Sequence, residues 1–475
     1  MSPTRWIALA LAAYVAGFIF FRPRVLVVND EAMYVTQAYA FAQGRLLLPS
    51  VSTADAPEPP SLYPPGTSLL QAPLVRLGGW MAAPWASVLC LVTAVVVLAR
   101  WLSDAGRSPI YSLVLLGYPP ALVLGRVAMS DVPSAAVTAL GMWVFWRGAE
   151  RHWRNWLAAG FLAGASILFR ETNALIFLPF FVGALLRRER HTWALIAGGL
   201  VGIGLRLVSF HVLFGSALFL RHPGAGWSWH HVAGNLPLYL FALLVLIPGG
   251  LLAGVWYRGA RRVELQACIV IHLAFYLSYS YSAEESGWIK RIVLGPRYYL
   301  PLAAILAFAL AEVAPRVVSN PRVLGRLLAA GAAGVLIAAF AVHPVMAYFE
   351  ALPLSIVRAI YANTPDGAVL ITESGVTAKF ILPMYGRRVV VSRGEFELDN
   401  IERLRVLHGA ASVVQLDRDT GSMALDRRNA DTHEMIEQIS RRCRLELLYD
   451  RWHDRENRLR IWNVSVCAET SPAGR

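Results

Sequence analysis

Long apolar runs recur through the first 346 residues at the spacing of a chain that crosses a membrane repeatedly. They lie at roughly 6–21, 84–102, 109–125, 132–147, 156–170, 172–186, 193–213, 235–256, 263–281, 298–313 and 327–346. Most approach the length a helix needs to cross a hydrocarbon core, and none alternates with the period of a barrel strand. Lipid satisfies no open backbone groups, so helices are the expected spanning element. The pattern predicts about eleven transmembrane helices. No small-residue cleavage site follows "FIFFRPR", so the first run is expected to stay as an anchor.

After residue 346 the pattern changes. Short apolar stretches at 368–374, 387–392, 411–417 and 458–464 read as strands, and 399–409 and 431–443 read as helices. That alternation predicts a small α/β domain over 347–475, set against a membrane domain over 1–346. No Gly-rich phosphate loop follows these strands, so nothing supports nucleotide binding there. The tail is expected to serve as a lid or an acceptor-docking module, with plain structural support as the simpler role.

Composition agrees with the membrane reading: 56% of residues are hydrophobic and only 16% charged. A net charge of +13 would point to nucleic acid in a soluble domain, but alternate loops give a simpler reason. Arg5, Arg100, Arg107, "RGAERHWR" (147–154), "RRER" (187–190), "YRGARR" (257–262) and "PRVVSNPRVLGR" (315–326) fall in one set of loops. By the positive-inside rule that set is cytoplasmic, and no nucleic-acid partner is expected. The protein is expected in a bacterial inner membrane, N-terminus inside and C-terminal domain outside. Cys90 and Cys268 fall in spans and read as packing residues, whereas Cys443 and Cys467 lie in the external tail, where they could pair. No CxxC or HExxH spacing occurs.

Candidate chemistry gathers in the opposite set of loops. "VVNDEAMY" presents Asp30 and Glu31, "AMSDVPS" presents Asp131, and "FRETN" presents Arg170 and Glu171. Arg126 and Arg297 stand beside these loops, and Arg206 falls inside the seventh run. Charge at or within a membrane is costly, which makes each a functional candidate. Asp30 also precedes a helical pattern, so N-capping is its plain structural reading. A guanidinium fork suits a lipid-linked phosphate, and a carboxylate suits removal of a hydroxyl proton. The prolines of "LYPPG" (62–66) shape the loop through fixed φ, and Tyr63 is a candidate substrate contact. "GWSWHH" (226–231) reads as an interfacial anchor or a sugar-stacking surface, His272 as a packing residue, and "NVS" (463–465) as a chance glycosylation match.

The order "NDEAMY", "AFAQGR", "LYPPGTSLLQAPLVRLG", "RVAMSDVPS", "FRETNALIFLP" and "GPRYYLPLAAILAFAL" resembles the GT-C class of membrane glycosyltransferases. The branch it most resembles includes protein O-mannosyltransferases and lipid A aminoarabinose transferases. The resemblance covers roughly residues 1–345. It implies transfer of a sugar, on the outer membrane face, from a polyprenyl-phosphate donor to an acceptor hydroxyl of a glycan, lipid or protein. It implies Asp30 as the base, with Glu31 orienting it or raising its pKa. It implies Asp131 as the acid that binds acceptor or orients the donor sugar, and Arg297 and Tyr298 as the element near the donor phosphate. Arg170 and Arg206 are added from their charge and depth alone.

This chemistry needs no nucleotide site. The phosphate on the anomeric carbon leaves readily once cations stabilise it, and no strong acid is required. No cofactor is required either, although Asp and Glu in one cavity could hold a divalent ion. The rival readings are a transporter or flippase of a lipid-linked sugar and a receptor built on the external domain. A transporter would place polar groups at mid-membrane and show a repeated half, and no internal repeat is evident.

Overall fold

The computed structural model describes residues 1–49, 57–148, 152–219, 226–279, 293, 295–372, 389–392, 401–418 and 423–467. Between the runs at 263–281 and 298–313, residues 280–292 and 294 lie outside the described residues, as do 220–225 ahead of "GWSWHH" and parts of the first two predicted tail strands.

α1 (Pro3–Phe20) starts behind Ser2, whose hydroxyl accepts from the Arg5 N–H. α2 (Asn29–Ala42), α3 (Gly66–Gly78) and α4 (Pro84–Asp104) follow. The run at 109–125 is not one span. A 3-10 turn at Pro109–Ser112 leads into two short helices, α5 (Leu113–Gly117) and α6 (Pro119–Leu124). The break has a local cause: Pro119 and Pro120 donate no N–H, and Pro119 holds Tyr118 extended (φ −68°, ψ 118°). α7 (Asp131–Gly148), α8 (Trp153–Ala165), α9 (Ala174–Leu186) and α10 (Thr192–Phe214) match expected runs. The run at 235–256 is bent by 84° between α11 (His230–Phe241), with its π turn, and α12 (Gly250–Trp256). α13 (Arg262–Leu277), α14 (Leu300–Val317) and α15 (Pro321–Asn363) complete the apolar part. Among the described residues five helices are long and apolar enough to cross a membrane, six if the bent pair is one span. The protein is membrane-integral, and the eleven expected spans resolve into fewer long helices and several short ones.

The chain divides into two compact units, Met1–Arg22 with Leu62–Met346, and Pro23–Ser61 with Ala347–Arg475. Residues 23–61, counted with the membrane domain on sequence, thus group with the tail.

In the first unit, α8 and α10 meet through glycines. Gly160 and Gly164 on α8, and Gly198 and Gly202 on α10, each stand four residues apart. A Cβ on Gly160 would strike the Leu195 carbonyl, and one on Gly198 the Leu157 carbonyl. Small residues let helix backbones close where no hydrophobic force separates lipid from protein. A second fastening is Arg126, which is fully buried and donates to the carbonyls of Phe21 (2.9 Å) and His343 (2.7 Å), tying α1 to α15.

The second unit holds a five-stranded sheet of order β4-β3-β5-β7-β6, behind the short β1 (Leu48–Pro49) and β2 (Pro57–Glu58) pair. β3 (Val369–Thr372) runs parallel to β4 (Val389–Ser392) and to β5 (Ala411–Arg418). β7 (Asn457–Cys467) runs antiparallel to β5 and to β6 (Cys443–Trp452), an edge strand not expected from the sequence. One face packs Leu370, Val414 and Ile461 on Ile356 and Ile360 of α15. The other packs Val369, Ile371 and Val413 on α16 (Ile401–His408) and α17 (Met423–Ser440). Cys443 and Cys467 face each other in register and form a disulfide.

His453 joins the sheet to α15. Its Nδ1 lies 2.8 Å from the Ser355 hydroxyl and its Nε2 3.2 Å from the Tyr449 hydroxyl. Burial holds its pKa below the ordinary 6.5, against the pull of Asp454. Folding therefore favours the neutral ring, so this contribution is complete above about pH 6.5 and fades as pH falls through the lowered value. Amide exchange of the sheet, corrected for intrinsic rate, should speed up between pH 7 and pH 5 in the full-length protein, and His453→Gln should flatten that dependence. For the glycine seam, Gly160→Val should cost about 1–3 kcal/mol by overpacking, read as a lower unfolding midpoint in detergent.

Candidate active site

The first unit brings Asp131, Arg170, Arg297 and Tyr298 together across 168 residues of chain. Asp131 opens α7 and is fully buried. Its Oδ1 lies 2.9 Å from an Arg170 guanidinium nitrogen. Arg170 is held extended (φ −160°, ψ 123°) between the end of α8 and the Glu171–Asn173 turn. Asn173 fixes that junction by accepting from the Ser134 hydroxyl (2.8 Å) and donating to the Ser166 carbonyl (3.0 Å). The loop carrying Arg170 is thus tied to the helix carrying Asp131.

Tyr298 is the platform. The guanidinium of Arg170 sits 5.2 Å from its ring centroid and that of Arg297 5.1 Å, within cation–π range. Arg297 also donates to the Tyr298 hydroxyl at 3.4 Å. Tyr276 stacks on Tyr298 at 4.7 Å and donates its own hydroxyl to Thr172 at 2.8 Å. The Gly295–Tyr299 turn is anchored from two sides: Tyr118 donates to the Pro296 carbonyl (2.7 Å), and His272 Nε2 lies 2.9 Å from the Tyr298 carbonyl oxygen. His272 is buried, as a packing residue would be, yet it sits one turn from Tyr276 on the same face of α13.

The other candidates in this unit fall elsewhere in the network. Arg206 stacks over Phe210 at 3.9 Å, donates to the carbonyls of Ala217 and Phe219, and reaches Glu171 only at 3.9 Å. Arg126 takes the fastening role described above. Tyr63 is buried just before α3, where Gly66 packs so tightly on Leu168 that a Cβ would come within 2.7 Å of its carbonyl oxygen.

The acid pair belongs to the second unit, and its two members stand differently. Glu31, 1% exposed, turns Oε2 back to accept the N–H groups of Val27 (2.8 Å) and Val28 (3.0 Å). That is the reach of a capping-box glutamate toward the residue before the helix. The capping that sequence reasoning gave to Asp30 is thus seen at Glu31, while Asp30 is half-buried in the first turn of α2. Among the described residues no three His, Cys, Asp or Glu side chains are grouped to hold a metal ion.

The sequence model of a family described as dolichyl-phosphate-mannose-protein mannosyltransferase matches residues 63–214. That stretch takes in Tyr63, Asp131, Arg170 and Arg206 and stops short of Asp30 and Arg297. A crystal structure of ArnT from Cupriavidus metallidurans bound to undecaprenyl phosphate superimposes with a TM-score of 0.65, over 97% of both chains, at 14% identity. The fold is shared with ArnT. The apo structure of ArnT from the same organism gives a TM-score of 0.61 at 16% identity, over 97% of this chain and 98% of that one. No curated protein matches the sequence. The fold and the family match agree with the resemblance to GT-C glycosyltransferases carried by the motifs.

Sequence reasoning missed Thr172, Tyr276 and Tyr118. The spacing of His272 and Tyr276, two polar groups four apart in an apolar run, was a signal for one of them.

Asp131→Asn should strip the buried guanidinium of its counter-charge and destabilise the protein by about 3–5 kcal/mol. The double variant Asp131→Asn, Arg170→Gln should recover part of that loss, because no buried charge is then left alone. Asp30→Asn should change stability by about 1 kcal/mol or less. Unfolding midpoints in one detergent compare all three.

Proposed function

We propose that this protein is an inverting glycosyltransferase, moving a sugar from a polyprenyl-phosphate donor to an acceptor hydroxyl at the extracytoplasmic face of a bacterial inner membrane. The observation that carries the reading is the pair of guanidiniums, Arg170 and Arg297, sharing the Tyr298 ring beside one buried carboxylate. Their forks match the oxygens of a phosphate, and Tyr298 limits the freedom they would lose on binding it. Support comes from the fold, since the ArnT structure holds undecaprenyl phosphate, and from the mannosyltransferase family match.

In this mechanism the sugar's anomeric carbon is attacked by the acceptor hydroxyl as the carbon–phosphate oxygen bond breaks. Arg297 and Arg170 stabilise the charge that develops on the departing phosphate. Asp131 keeps Arg170 aimed at the ring. Asp30 takes the hydroxyl proton, and Glu31, tied to the Val27 and Val28 amides, fixes the turn from which Asp30 projects. The acceptor is an envelope glycan, lipid or protein, and the C-terminal α/β unit is the proposed lid or acceptor-docking module.

Cells lacking the gene, complemented with wild type or with Asp30→Asn at equal membrane abundance, test this reading. The variant should behave like the deletion: one sugar absent from an envelope glycan and its polyprenyl-phosphate donor accumulated. Full restoration by Asp30→Asn would remove the proposed base and favour a transporter of the lipid-linked sugar.

A further inference from the structure

At the ends of α7 and α14 remote from Asp131 and Arg297 lies a cavity of about 660 Å³, lined by residues of the first unit. A rise of roughly 1.5 Å per residue sets Arg147 about 24 Å along α7 from Asp131, so this is a separate place and not an extension of the Tyr298 site. Its volume falls in the range of small-molecule sites.

The wall is aromatic. Trp101 stacks on Phe308 at 4.4 Å and 17°, and Trp146 leans on both, at 5.6 and 4.8 Å. The carboxylates are already engaged. Glu312 accepts from Arg316 at 2.8 Å with one oxygen and from Arg107 at 2.9 Å with the other. Asp104 Oδ2 accepts from Trp143 at 2.9 Å and lies 3.4 Å from Arg147 Nε.

What remains unspent is donors. The Trp101 indole N–H belongs to a residue 1% exposed and makes no hydrogen bond among the described residues, and the buried Nε–H of Arg107 makes none there either. Trp donates only, and Arg donates only, so neither can be satisfied by a donor ligand. A cation would meet neutralised carboxylates and idle donors. An oxyanion would meet two buried N–H groups and, on Arg147, a guanidinium with more than half its side chain exposed.

We propose that this cavity binds a phosphate group, held by Trp101 Nε1–H, Arg107 and Arg147, with its substituent against the Trp101–Trp146–Phe308 wall. The phosphate comes either from a lipid headgroup or from a soluble phosphate compound. The site is distinct from the one proposed for sugar transfer, and binding, not transfer, is what tests it.

Isothermal titration calorimetry of the full-length protein in a neutral detergent, with phosphatidic acid, inorganic phosphate and diacylglycerol as probes, makes the test. Trp101→Phe keeps an aromatic ring at that position and deletes the donor, Arg147→Ala alters an exposed side chain, and Arg297→Gln disables the other proposed phosphate site. Saturable binding of phosphatidic acid, weakened tenfold or more by Trp101→Phe and by Arg147→Ala but kept in Arg297→Gln, supports the cavity with a lipid source. The same pattern with inorganic phosphate supports it with a soluble source. Binding that both cavity variants leave within twofold, equal binding of diacylglycerol, loss only in Arg297→Gln, or no saturable binding of any probe overturns it.

Discussion

A guanidinium withdrawn from water needs a carboxylate beside it, and the arrangement around Tyr298 depends on Asp131 meeting that need for Arg170. The pair joins the start of α7 to the junction after α8, and the ring of Tyr298 adds the turn before α14. Three segments far apart in sequence are thereby held at one point. Charge supplies the attraction and aromatic stacking supplies the direction. Arg297, placed on the same ring, inherits its aim from that scaffold. The neighbouring contacts are maintenance of the same geometry: Tyr118 and His272 hold the turn, and Ser134 and Asn173 hold the loop.

The two acids of the first loop are adjacent and carry the same charge, yet they stand in different surroundings. Glu31 has the extra methylene that lets its carboxylate fold back onto the amides preceding the helix. Asp30 is shorter and precedes it by one residue, so its side chain leaves the helix in another direction. The capping contacts of Glu31 are therefore compatible with the chemical role proposed for Asp30.

Much of the architecture was legible because it is written in local pattern. Apolar runs marked the helices, and short apolar stretches marked β3, β4, β5 and β7 within three residues at each end. The pattern over-read the run at 109–125, where hydropathy continues but Pro119 and Pro120 forbid the helix to do so. β6 escaped notice because leucines on its exposed positions blur the alternation. The site was half-legible. Asp131, Arg170, Arg297 and Tyr298 stood out as charges and motifs in an apolar chain, but the convergence that gives them meaning is long-range. Arg126 shows the converse: a buried arginine looks chemical in the sequence, yet its guanidinium donates to the carbonyls of Phe21 and His343, which no side-chain pattern reveals.

α15 has a consequence for how the chain is assembled. It runs unbroken for 43 residues, roughly 64 Å at 1.5 Å per residue, and the division between the two units falls inside it, between Met346 and Ala347. There is no linker to cut at that point. Severing the chain there would interrupt a hydrogen-bond ladder and orphan up to four carbonyls on one fragment and four N–H groups on the other. The same continuity works in favour of the intact chain. Starting a helix is the costly event and extending it is cheap, so whichever unit orders first hands the other a nucleus already formed.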